Sequence, residues 1–388
     1  MIFGLLIRQA LRKAGLDADA AHLDLAKTEC NFIIQDYWYM TDSKFRQSRG
    51  TINTVSGSDE YVLNKHFDEF VKNTLQGPNS NPRFFTYLGT EEFFGQIQLQ
   101  SQTSGEPSFY TYGDTVGYDA QLTAASKIRV NSALASKTTG TVNLAAGSDI
   151  VTSSTDIFTL NDVGRMLKKS GDSRAYKIGK FISSRKLQLL EKYRGTSQTG
   201  ASYEIGDVGI HVNIMGYVGG EIDSEDIVLE GDNYVVTTKT FNSVISISKS
   251  DKTGGKINIQ NESGTQTIGT LGPGETEIER QTVLFWPKPN GSESLKYRFY
   301  MKHPALWLES DRLLIPEKWH RLICYKLEKR LREFSGKEVP QGLIDDISRF
   351  ELDFENEAQD LSLSNTVPGE DGKIGGEFWY DKIDERGV

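Results

Sequence analysis

The feature that most constrains this chain is a split in its patterning. Helical periodicity opens the sequence and closes it, while residues 127–279 read as short β-branched runs separated by Gly, Ser, Thr and Asn. The run that resumes at Val283 continues the early part. One domain interrupted by an all-β insertion is therefore expected, and 388 residues leave room for two or three cores. A net charge of −9 argues against a protein that grips DNA through clustered phosphate contacts. It is compatible with a non-sticky opening through which DNA passes. Cys30 and Cys324 sit in helical patterns and read as buried free thiols, not as a disulfide framework. In the first residues the basic side chains follow the apolar run instead of preceding it, unlike a signal peptide. No apolar run reaches the roughly 18 residues of a membrane span. A soluble protein made in a reducing cytoplasm is expected, with no membrane partner.

Along the chain, Ile2, Leu5, Leu6 and Ala10 suggest a first helical face, ended by Gly15. Asp17 or Asp19 can cap a second helix, whose stripe is Leu23, Ala26, Cys30, Ile33, Ile34, Tyr37 and Trp38. Residues 51–56 and 61–63 read as a hairpin, 84–88 as a short strand, 90–97 as a short helix and 108–112 as a strand. Within the insertion, 127–207 suits a small β-barrel or sandwich. Residues 208–279 suit an immunoglobulin-like sandwich without a disulfide, with the division near Asp207. A hairpin around PNGS (289–292) is expected next, then a helix with Trp319, Leu322, Ile323, Leu327, Leu331 and Phe334 on one face. A last helix, about 340–361, carries Ile344, Ile347, Phe350, Phe354 and Ala358 on one side. Asp345, Asp346, Glu351 and Asp353 make the other side acidic, reading as a solvated surface or an electrostatic partner surface. The polar segment 362–388 ends in Phe378, Trp379 and Tyr380, after Ile374. Such a segment cannot build its own core. Its aromatics either fold back on their own subunit or dock on a neighbour.

The overall expectation is an α+β multidomain chain: a discontinuous helical domain (1–126 and 280–361), two all-β inserts (127–207 and 208–279) and an extended tail (362–388). Three strings carry a resemblance to known proteins. They are LFWPKP (284–289), LKYRFYMKHP (295–304) and LIPEKWHRLI (314–323), accompanied by QDYW (35–38) in the early part. In this order they resemble the head-to-tail adaptor, or connector, proteins of tailed bacteriophages over roughly 1–120 and 283–361. DVGRMLK (162–168) and YRGTSQTGASYEIG (193–206) are similar to small β modules of phage structural proteins. FNSVISISK (241–249) and LGPGET (271–276) are similar to their immunoglobulin-like decorations.

The resemblance implies a structural virion protein at the neck, made in the host bacterial cytoplasm, that forms a ring, usually of twelve copies, beneath the portal. It implies the portal protein, tail or other neck proteins and further copies of the chain as partners. Double-stranded DNA would pass through the channel without sequence recognition. Phe378, Trp379, Tyr380 and Ile374 would then dock on the portal. Trp319, His320 and Tyr325 would mark a ring interface or core helix, and the acidic helix would face the channel or the surface. The alternative is a β-rich receptor- or carbohydrate-binding virion protein, and a weaker one is a glycan-degrading enzyme. Against a binder, Phe158, Phe181, Tyr203, Tyr234 and Phe241 fall at expected strand-core positions. Against an enzyme, the five histidines lack metal-ligand spacing, and no nucleophile-elbow or phosphate-loop motif occurs. The acidic turn at 216–227 reads as a solvated loop, or as a Ca²⁺ loop without EF-hand order. No cofactor, metal or catalytic residue is expected.

Overall fold

A computed structural model describes residues 2–40, 46–72, 74–78, 83–99 and 104–363. Among the described residues there are five α-helices: Phe3–Ala14 (α1), Ala20–Tyr39 (α2), Thr90–Leu99 (α3), His320–Phe334 (α4) and Gln341–Leu363 (α5). The fold is α+β and mostly β.

Helices α1, α2, α4 and α5 share one apolar core, in which Phe3, Ile7, Ala26, Ile34, Trp38, Leu327 and Phe354 are buried together. The stripe read on α2 is buried throughout. On α1 the buried face is Phe3, Leu6, Ile7, Ala10, Leu11 and Ala14, so the expected face is rotated and Leu5 points outward at 60% exposure. Gly15 ends α1 at φ 68°, a left-handed conformation that suits glycine. Asp19, not Asp17, caps α2 by accepting from the His22 N–H at 2.9 Å. The last carbonyls of α1 are satisfied from α4 and just beyond it. The Arg332 guanidinium donates to Lys13 O at 2.6 Å, and the Lys337 ammonium donates to Ala14 O at 2.9 Å and Gly15 O at 2.7 Å. Positive charge at this end also matches the helix dipole.

Among the described residues the same terminal segments also build two larger sheets and one two-stranded pairing, Ser104–Gly105 with Lys288–Pro289, so this part is not purely helical. One three-stranded sheet has the order Gln47–Asn53, Ser294–Met301, Phe67–Phe70. A four-stranded sheet has the order Glu60–Val62, Arg280–Trp286, Phe109–Val116, Thr86–Tyr87. Two expected hairpins are replaced by long-range pairing. Gln47–Asn53 pairs with Ser294–Met301 in full register, while Glu60–Val62 pairs with Arg280–Trp286. Consequently the strands on either side of PNGS lie in different sheets. Aromatic packing explains the choice, because Phe67, Phe70, Phe285, Tyr297 and Phe299 form one core, with Phe67 and Phe70 rings 4.7 Å apart.

The insertion is nested. It leaves the terminal sheet at Val116 and returns at Arg280, and these two residues are strand partners. The first unit entered is a sandwich. Glu221–Glu230, Val208–Val218 and Ser243–Lys249 form one sheet, and Val235–Val236, Ile128–Ser132, Ile257–Asn261 and Thr267–Leu271 form the other. Strand Ile128–Ser132, placed by spacing at the start of the barrel, belongs to this sandwich. Its Ile128 and Val130 are fully buried beside Ile257 and Ile259. The barrel unit is in turn inserted after that strand, and its entry and exit pair directly: Lys137 and Ile205 exchange both backbone hydrogen bonds at 2.9 Å. Seven strands, from Gln198–Ala201 at one edge to Tyr203–Gly206 at the other, curl into a half-barrel around Val151, Leu167, Ile178, Leu187 and Tyr203. At the seam, buried Asp207 accepts from Ser132 Oγ (2.7 Å) and from the Gly254 and Gly255 N–H groups (2.6 and 2.8 Å).

Candidate assembly surface

Trp319, His320 and Tyr325 all lie in the chain's own helical core. Pro316 precedes a single 3-10 turn, Glu317–Trp319, which delivers the Trp319 ring edge-on to Phe354 with centroids 4.9 Å apart. The His320 ring bonds the Ile315 carbonyl at 2.9 Å, and burial lowers its pKa. Tyr325 Oη accepts from the Arg321 guanidinium, and the Lys13 ammonium sits 4.5 Å from its ring centroid. These residues fix α4 against α1 and α5.

The acidic residues of α5 do not share one face. Asp345 is exposed and accepts from Gln341 at 2.9 Å, and Asp346 pairs with Arg349 at 3.1 Å. Asp353 is also exposed. Glu351 turns inward instead. It accepts from Tyr37 Oη at 3.0 Å and pairs with Lys326, so it ties α5 to α2 and α4. Ile374, Phe378, Trp379 and Tyr380 lie outside the described residues.

The helical layer leaves large apolar side chains in water. Leu5, Phe32, Phe334 and Leu352 are each more than half exposed. Phe334 was expected on the buried stripe of α4 but is the last residue of that helix and is exposed. Leu352, between Glu351 and Asp353, lies off the apolar side of α5. That displacement from the stripe is the sequence signal that could have found it. Beside the terminal sheets, Phe84 and Tyr87 at the edge strand Thr86–Tyr87 and Phe94 on α3 are exposed. On the sandwich, Tyr217 and Ile222 are cross-strand partners and both are exposed. Phe158, Tyr203 and Phe241 are buried as expected, and Phe181 packs against the barrel core. Tyr234 is half-exposed instead, with the Arg129 guanidinium 4.2 Å from its ring centroid.

Two concavities indent the surface. A dish of about 420 Å³ on the barrel is lined by Asn143, Ser148, Thr152, Ser197 and Gln198 among others, with no acid or base in its wall. A cleft of about 250 Å³ lies between the terminal segments and the sandwich. It brings together Lys65, His66, Glu275, Arg280, Lys302 and His303. Burial drives both His66 and His303 down to about 4, with the Lys65 charge adding to the effect on His66. Two of the cleft cations are paired: Lys65 with Glu275 at 2.7 Å, and Arg280 with Asp119 at 2.5 Å. Among the described residues no three His, Cys, Asp or Glu side chains are grouped to hold a metal ion. No described helix is long and apolar enough to cross a membrane.

No family model matches the chain, and no curated protein matches it.

Proposed function

We propose that this chain is a structural protein of a tailed-phage neck, a head-to-tail adaptor whose discontinuous terminal domain joins a ring and whose two β units project from it. Its partners would be the portal, tail or other neck proteins and further copies of itself, with double-stranded DNA passing through the channel. The observation that supports this most is that residues from both ends of the chain form a single helical core while an all-β insertion leaves and returns through one paired strand position. The LIPEKWHRLI string, which resembles one of adaptors, carries Trp319 and His320, and both are buried. The exposed Leu5, Phe334 and Leu352 on an otherwise well-packed layer suit contacts between copies, which in a ring join two different patches. Work in such a protein is done by assembly, and no catalytic step is assigned.

Electron-microscope class averages of the purified protein, alone and mixed with portal, test this. The expected result is rings with an opening of about 20 Å or more, set by duplex dimensions. A chain that stays monomeric with portal present would overturn it. Leu352→Asp should leave stability within about 0.5 kcal/mol, as at ordinary surface sites, yet abolish rings. Unchanged ring formation would remove α5 from the interface. A second reading, a glycan- or receptor-binding module, draws on the exposed Tyr217 and Tyr234 of the sandwich. Retention of wild-type protein on immobilised host-surface polysaccharide, lost in Tyr217→Ala and Tyr234→Ala, would favour it.

A further inference from the structure

The β insertion meets the helical layer through charge. Lys177, on the barrel strand Ala175–Ser183, places its ammonium 3.3 Å from Asp24 of α2 and 3.2 Å from Asp251 of the sandwich. Three residues along the same strand, Lys180 lies 2.9 Å from Asp17. Lys252 of the sandwich sits 3.9 Å from the centroid of the Trp307 ring, and Lys27 of α2 sits 4.6 Å from the same ring. At the cleft, Lys65 pairs with Glu275. Lysines of the insertion therefore meet aspartates of the helical layer. The apolar contribution from the barrel to the helical core is the partly buried Val163.

The barrel and sandwich are joined more firmly to each other. Asp207 stitches the seam with three hydrogen bonds, and Met166 of the barrel packs against the sandwich core. The chain crosses from the terminal sheets to the insertion at the adjacent, paired positions Val116 and Arg280. Two joined units on one paired crossing, held elsewhere by ion pairs, make a hinged body with a polar interface, and such interfaces permit relative motion.

We propose that Lys177–Asp24, Lys180–Asp17 and the Lys252–Trp307 contact form a salt-labile clasp. Closed, it holds the barrel on α2. Released, it lets the barrel and sandwich move together about the Val116/Arg280 crossing while every core stays intact. The ion pairs are part-exposed, with the Asp17 carboxylate 73% in solvent. Such pairs shift an equilibrium by up to about fivefold each, and at 1 M salt the screening length falls to about 3 Å. Loss of the clasp is therefore expected to lower the closed-to-open ratio by about tenfold.

The test is energy transfer between dyes on Ala21→Cys in α2 and Lys186→Cys on the barrel, in the full chain diluted with unlabelled protein. The native Cys30 and Cys324 are buried and stay unlabelled. Transfer should fall between 0.05 and 1 M NaCl, with no change in near-ultraviolet circular dichroism. At low salt Lys180→Asp should lower it, and the exchange Asp17→Lys with Lys180→Asp should restore it. Constant transfer across the salt range, with Lys180→Asp also indistinguishable from the parent, overturns the clasp. A fall accompanied by loss of the dichroism signal is unfolding and overturns it equally. Should Lys180→Asp fail to fold, the salt series on the parent protein decides alone.

Discussion

Gly216 shows how much one residue decides in the sandwich. It sits where strand Val208–Val218 slips register against Ser243–Lys249, and a Cβ there would overlap the Ser243 carbonyl oxygen and press on the Phe241 ring. Gly216→Ala is expected to destabilise the sandwich by about 1–3 kcal/mol, the usual cost of overpacking, read as a lower urea midpoint. His303 sets an acid limit. Its ring is 5% exposed, stands edge-on to Trp38 at 5.0 Å, and neither nitrogen makes a hydrogen bond of ordinary geometry to a described residue. Its folded pKa of about 4 lies below the ordinary 6.5, with the Pro304 backbone opposing the shift. Between those values the unfolded chain binds the extra proton, so stability should fall as pH drops from 6.5 toward 4, by on the order of 3 kcal/mol for this group. His303→Phe should flatten that slope in denaturant titrations at pH 7, 5.5 and 4.5. An unchanged slope would assign the acid sensitivity elsewhere, His66 first.

The elements differ in how far the sequence announces them. Helix α2 was readable in full because a 3.6-residue stripe needs only local spacing, and every residue of that stripe is buried. Its cap was readable as a choice of two, and geometry selected Asp19. Asp19→Ala should cost about 1 kcal/mol, visible in thermal unfolding, while Asp17→Ala should leave the helix cap intact. Strand existence was also largely legible, but pairing was not. Alternation says which face of Gln47–Asn53 is apolar. It does not say that the partner is Ser294–Met301, because that choice rests on packing among Phe67, Tyr297 and Phe299 far along the chain. The same limit moved Ile128–Ser132 from barrel to sandwich. Of the candidate site, the aromatic string around Trp319 was visible as either a ring interface or a core helix, and its residues pack in the chain's own core. The exposed Leu352 could have been found from its displacement off the α5 stripe, whereas the exposure of Tyr234 became apparent only with a neighbour to measure it against.

At the scale of the whole molecule, the paired crossings matter most. Lys137 and Ile205 are hydrogen-bonded partners, so removing 138–204 and joining the ends through a short Gly-Ser turn should leave the sandwich and terminal domain folded. A single cooperative loss of structure in that deletion, measured by calorimetry, would mean that the barrel supports its host. The nesting also fixes an order in time. A growing chain finishes the barrel's strands first, when Gly206 has emerged. The sandwich is complete only after Ile278, and the helical core only after Phe354. Throughout that interval the apolar faces of α1 and α2 exist without the α4 face that covers them. The innermost unit is thus the earliest of the three to mature on the ribosome, and the faces of α1 and α2, made before it, are among the last to find shelter.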